Sequence, residues 1–142
     1  MKVKYFLSRL EEQEIIQTIT KAEKKTSGEI RVMISSQKIK EPVAFAQRQF
    51  MKSKMYRTKE RNAVLIMIAP HSQNFAVVGD KGIHEKVGDS FWSEISQAIS
   101  EHFRKNEFHQ GLISGVKRVG DSLAECFPIK QNDRNELSNQ PL

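Results

Sequence analysis

Three carboxylates, Glu60, Asp80 and Asp89, lie where polar chain meets apolar runs. If the ends of those runs converge, the carboxylate oxygens suit a hard divalent cation such as calcium or magnesium, which takes oxygen ligands. Each also has a plainer role: Asp89 as a helix cap, Asp80 as a turn residue, Glu60 as one exposed charge. Between them, Gly79-Asp80-Lys81-Gly82 follows a strand-like run. Glycine loops can turn backbone N–H groups toward an anion. Gly79 and Gly82, with the cations Arg61 and Lys81, therefore form a candidate phosphate or anion site, and a structural turn is the plainer reading. The loop fits neither G-x-G-x-x-G nor the Walker pattern.

Other reactive residue types give less. His71, His84, His102 and His109 show no H-E-x-x-H spacing and no pairing with cysteine, so a zinc site is not expected. Cys126 has no arginine six residues on, and no G-x-S-x-G elbow is present. Its default reading is a buried or half-buried thiol near a helix end. Phe91 and Trp92 beside Asp89 read as core packing before they read as a pocket wall. No catalytic nucleophile is identified. The G-x-x-G spacing also occurs in RNA-clamping modules, but there it joins two helices, and here a strand precedes it. Nucleic acid is not an expected partner.

The charge is uneven. The chain carries a net +6, and residues 38–61 alone hold eight basic and two acidic groups, again a net +6. Lys52, Lys54, Arg57 and Lys59 close this segment as a candidate partner-binding patch. Such a patch attracts an acidic protein or an anionic membrane surface, and its plain alternative is a solvated helix and loop.

Elements must hold these groups in place. Ala63-Val64-Leu65-Ile66-Met67-Ile68-Ala69 is the most apolar run and ends at Pro70, as expected of a strand buried on both faces. Phe75–Val78 reads as its hairpin partner across the turn-prone His71–Asn74. Glu29–Ser35 reads as a further strand, and residues 42–56, opening at Pro42, as the helix between it and the central strand. Ser8 and Glu11 have the capping-box spacing for a first helix that ends near Gly28. Asp89 or Ser90 is expected to cap a helix with Phe91, Ile95, Ile99 and Phe103 on one side. A last helix, from about Phe108 to Glu125, has the apolar face Leu112, Val116, Val119 and Leu123. Its Gly111, Gly115 and Gly120 lower intrinsic helicity and point to close approach of a neighbour. The spacing predicts an α/β fold: a βαβ unit plus an antiparallel hairpin strand, a small mixed sheet with helices on both faces.

At 142 residues, with 38% hydrophobic and 28% charged residues, the chain reads as one folded domain over 1–128 and a polar, disordered tail over 129–142. No apolar run approaches the length of a membrane span. With one cysteine and no leader-like N-terminus, a cytoplasmic location is expected.

Three ordered stretches carry a family resemblance: Lys25-Thr26-Ser27-Gly28-Glu29-Ile30-Arg31-Val32, then Phe45-Ala46 with Phe50, then Arg61-Asn62-Ala63-Val64-Leu65-Ile66-Met67-Ile68. Gly82-Ile83 with Asp89, Phe103-Arg104 with Phe108, Gly111-Leu112 and Gly115-Val116 continue it. In this order the chain resembles the TPM domain family, whose name joins a thylakoid lumen phosphatase-like protein, a photosystem II-associated protein and a worm receptor modulator. The resemblance implies an α/β/α sandwich, acid phosphatase activity, divalent-cation binding and a part in repair or assembly of membrane complexes. Many members carry a signal peptide and a transmembrane anchor, and this chain resembles a short cytoplasmic form. It departs from the family's acidic pattern. Lys4-Tyr5-Phe6-Leu7-Ser8 lacks an N-terminal acid, and Arg61-Asn62 stands where Asp-Asn is frequent. Of that acidic set Asp89 is kept, with Glu60 nearby. The expected function is a non-catalytic interaction module with a degenerate cation site, and the alternative is a weak metal-dependent phosphomonoester hydrolase.

Overall fold

A computed structural model describes residues 2–129. The tail expected from residue 129 onward falls, from residue 130, outside the described residues. The sheet has three strands, β1 (Glu29–Ile34), β2 (Ala63–Ala69) and β3 (Asn74–Gly79), in the order β1-β2-β3. β1 runs parallel to β2, with Glu29 opposite Ala63 and Ile34 opposite Ile68. β3 runs antiparallel to β2, with Val64 opposite Gly79 and Ala69 opposite Asn74.

Every residue of β2 is buried because both faces of the sheet are covered. Ala63, Leu65, Met67 and Ala69 face a core closed by Phe45, Ala46 and Phe50 of α3 (Pro42–Lys52). Val64, Ile66 and Ile68 face the opposite, larger core. There α6 (Phe108–Cys126) packs between α2 (Glu12–Glu23) and α5 (Asp89–Arg104). Leu112, Val116, Val119 and Leu123 are fully buried, at about 1.5–3 kcal/mol of burial each. The result is a three-layer α/β/α arrangement around a mixed sheet. Gly120 lets two helices touch: a Cβ there would lie 2.7 Å from Ala22 Cβ of α2.

Several local expectations are corrected. Residues up to Ser8 are themselves helical, α1 (Val3–Ser8), so Ser8 Oγ donates back to the Tyr5 carbonyl at 2.6 Å instead of capping the next helix. α2 starts at Glu12 behind Glu11, without a side-chain cap, and stops at Glu23. Gly28 is therefore no helix stop; it sits against Leu123, whose Cδ2 would be 2.9 Å from an added Cβ. The helix expected to reach residue 56 ends at Lys52, and a 3₁₀ turn over Met55–Arg57 follows a left-handed Lys54. Gly79 to Gly82 is a strand-to-helix junction, because β3 includes Gly79 and α4 (Lys81–Val87) starts two residues later. Gly88, not Asp89 or Ser90, precedes α5. Its φ of 74° with ψ of −179° is a conformation essentially reserved for glycine.

Candidate functional site

The N-terminal end of β2 and the C-terminal end of β3 meet because Val64 pairs with Gly79. That register brings Arg61 beside Asp80. Asp80 is 7% exposed and accepts Arg61 Nε at 2.6 Å on Oδ2 and Arg61 Nη2 at 2.8 Å on Oδ1. Oδ1 also accepts the Lys81 amide at 2.8 Å, which makes Asp80 the cap of α4. The hydrogen-bonded carboxylate raises the Arg61 pKa further, so this cation is permanent.

The glycine at position 82 has a packing role. Arg61 has a left-handed backbone, φ 53°, and its carbonyl accepts the Gly82 amide at 2.9 Å. A Cβ on Gly82 would lie 2.2 Å from the Glu60 carbonyl oxygen and 2.6 Å from that of Arg61. The Lys81 and Gly82 amides are thus both given to protein acceptors. Gly79 lies under Trp92, whose ring would be 2.3 Å from an added Cβ. Trp92 Nε1 in turn donates to His84 Nδ1 at 3.3 Å. The Lys81 side chain is exposed.

Glu60 belongs to a second group. Ser27 Oγ donates to Glu60 Oε2, and Asn62 Nδ2 donates to Ser27 Oγ at 3.0 Å and to Glu60 Oε2 at 3.4 Å. Asn62 is 1% exposed, and its Oδ1 is buried without a hydrogen-bond partner. Asp89 is exposed in the first turn of α5, where its charge favours the helix N-terminus, and it has no side-chain hydrogen bond or ion pair among the described residues. The three expected cation ligands are therefore differently employed: Asp80 by a guanidinium, Glu60 by a hydroxyl and an amide, and Asp89 by solvent.

Among the described residues, one trio of carboxylate and imidazole groups lies within mutual ligand distance: Glu11, Glu14 and His109, within 4.8 Å. The Glu11 amide donates to His109 Nδ1 at 3.2 Å, which leaves the proton of a neutral ring on Nε2. Nε2 lies 3.3 Å from Glu14 Oε2 and is buried without a well-aligned partner. Hydrogen bonding with Glu11, then with His109, pulls the Glu14 carboxyl below its ordinary value. The trio thus joins the start of α2 to α6, with the Glu11 amide on Nδ1 and the Glu14 carboxylate beside Nε2. Sequence reading passed over it, as it did Ser27 and the buried Asn62, because the partners are far apart in the chain.

The basic segment ends in open solvent. Lys52, Lys54, Arg57 and Lys59 are all exposed and form no salt bridge among the described residues. Cys126 is a half-buried free thiol at the end of α6.

A mixed three-stranded sheet between helical layers, with a polar junction at the head of its central strand, defines a small α/β/α domain. The TPM domain matches residues 3–122, and the chain belongs to the TPM domain family. It is similar to the BA42 protein of the psychrophilic bacterium Bizionia argentinensis, at 40% identity over 85% of this chain and 83% of that one, with a TM-score of 0.79. It shares its fold with the N-terminal domain of the cg2496 protein from Corynebacterium glutamicum, at 17% identity and a TM-score of 0.54 over 78% of this chain and 68% of that one. None of the curated proteins matches. Among the described residues no helix is long and apolar enough to cross a membrane.

Proposed function

We propose that this chain is a non-catalytic interaction module with a degenerate acidic cation site. The observation that carries this reading is the two-point contact of Arg61 with both oxygens of Asp80, 2.6 and 2.8 Å long. A dication at this junction would have to displace a guanidinium that sits in ideal geometry and cannot deprotonate. Glu60 is shared with Ser27 and Asn62, and Asp89 has no partner among the described residues. This donor set does not fit a cation held by three carboxylates. The test is an amide NMR titration of the metal-stripped protein with calcium, then magnesium. Unchanged signals for residues 60–62, 79–82 and 89 up to millimolar metal are expected. Saturable shifts confined to those residues would overturn the reading.

The surface that docks is the basic segment, and its partner in this proposal is an anionic membrane surface. α3 covers one face of the sheet, and its outer side exposes Val43 (53%) and Met51 (58%) beside Arg48 and Lys52. Apolar side chains ringed by cations suit the headgroup boundary of anionic lipid better than the purely polar rim of an acidic protein. Sedimentation with phosphatidylglycerol vesicles is expected to carry the protein down at low salt and to release it at high salt. The double variants K52E/K54E and V43S/M51S should each reduce binding. Indifference to anionic vesicles would end the membrane reading and turn the search to acidic proteins.

The alternative, a weak metal-dependent phosphomonoester hydrolase, has one observation in its favour. Asn62 Oδ1 is a buried oxygen without a partner, next to Glu60 and Arg61. One amide oxygen and one shared carboxylate leave most of a hard cation's shell to water or a phosphate. Metal-dependent turnover of a phosphomonoester that is lost on Glu60→Gln would favour this alternative.

A further inference from the structure

The opposite end of the sheet holds a cavity that the cation and docking readings do not use. It has a volume of about 400 Å³ and opens beyond the carboxyl end of β2, beside Ile68 and Pro70. In open α/β sheets, ligands settle outside the carboxyl ends of parallel strands, and β2 is parallel to β1. A volume of this size lies in the small-molecule range.

Its wall is aromatic. Phe6, Phe75, Phe103 and Phe108 pack edge to face or tilted, with ring centroids 5.1–6.1 Å apart. Its rim is polar and carries one cation. Arg104, the last residue of α5, is exposed and has no ion pair or side-chain hydrogen bond among the described residues. Asn74 also lines the cavity. Its Nδ2 is committed to the Ile39 carbonyl at 2.7 Å, and its buried Oδ1 has no partner. The backbone that frames the mouth is fixed by tight turns: Gln73 and Asn106 are both left-handed, with φ of 55° and 60°. Phe75 and Phe103 are half-buried and form the open part of the wall, with Phe6 and Phe108 buried behind them.

We propose that this cavity binds a small aromatic carboxylic acid, with its ring against the phenylalanine wall and its carboxylate on the Arg104 guanidinium. An aromatic wall recognises a planar apolar body through edge-to-face contacts. A free guanidinium at the rim selects a carboxylate by charge-assisted hydrogen bonds. The proposal is independent of the docking surface on α3, which lies on the other face of the sheet.

The test is amide NMR of the full chain titrated with phenylacetate and, separately, with uncharged 2-phenylethanol. Phenylacetate should give saturable shifts at Asn74, Phe75, Arg104 and Asn106 and bind more tightly than the alcohol. Arg104→Gln should weaken phenylacetate about tenfold, as loss of a charged hydrogen bond does, and leave the alcohol unchanged. Ser100→Phe, which puts a ring on another cavity-lining residue, should abolish both responses while the signals of β1 and α3 stay in place. Absence of saturable shifts at the four named amides would overturn the proposal. So would equal phenylacetate affinity in the wild type and Arg104→Gln.

Discussion

At the scale of single residues, Asp80 combines two duties that are usually separate. It caps α4 and it compensates Arg61. Asp80→Ala should cost about 1 kcal/mol for the cap alone, and more for the stranded cation, in a urea denaturation series. Asp80→Asn keeps a capping oxygen and should fall between wild type and the alanine variant. Glu23 gives a pH signature. Burial pushes its carboxyl up, opposed by the hydrogen bond from the Ile30 amide at 2.9 Å. The folded state therefore holds the proton to higher pH than the unfolded chain does. The contribution of Glu23 is most favourable below the ordinary carboxylate range and declines as pH rises through that range to the elevated folded value. Glu23→Gln keeps an acceptor for Ile30 and should flatten this decline; an unchanged stability–pH profile would refute the assignment.

Element by element, legibility in the sequence followed how many faces of each segment are buried. β2 was plain because both of its faces are covered and nearly every residue is apolar. α6 was plain because Leu112, Val116, Val119 and Leu123 keep a helical period over about three turns. α1 was missed: six residues are too short for a period, and what holds them is Phe6, 2% exposed among other aromatic rings. α4 was missed because Gly82 in its first turn reads as a loop, whereas its lack of a side chain admits the Glu60 and Arg61 carbonyls. The candidate site was half legible. Polarity and position mark its residues, but the partner of each depends on the hairpin register: Val64 opposite Gly79 sets Arg61 on Asp80, a pairing that spacing alone does not specify. The three glycines of α6 did signal close packing, against Phe103, Ile99 and Ala22 in turn. Gly120→Val should therefore push α2 from α6 and cost about 1–3 kcal/mol, read as a lower thermal midpoint with the β1–β2 pairing retained by NMR.

For the whole molecule, the decisive tie is between distant parts of the chain. Thr26, 2% exposed, lies just ahead of β1, and its Oγ1 is 3.0 Å from the Leu123 carbonyl and 2.6 Å from that of Phe127. The Gly28 amide donates to the same oxygen at 3.0 Å. Thr26→Val preserves shape and removes the hydroxyl that reaches both carbonyls. It should cost about 1–3 kcal/mol, because the Gly28 amide loses its partner, while the two carbonyls keep the Phe127 and Ser27 amides. A variant as stable as wild type in denaturant would show that the crossing is held without the hydroxyl.

That same tie sets an order of events during synthesis. Thr26 leaves the ribosome 97 residues before Leu123 and 101 before Phe127. The first strand, the crossover helix and the hairpin therefore emerge with one face of the sheet uncovered, waiting for a helix not yet made. Nascent chains of this protein are open along the Val64, Ile66 and Ile68 face until α6 has emerged. A chaperone that binds apolar strands has its window there, and a pause in elongation before α6 would lengthen it.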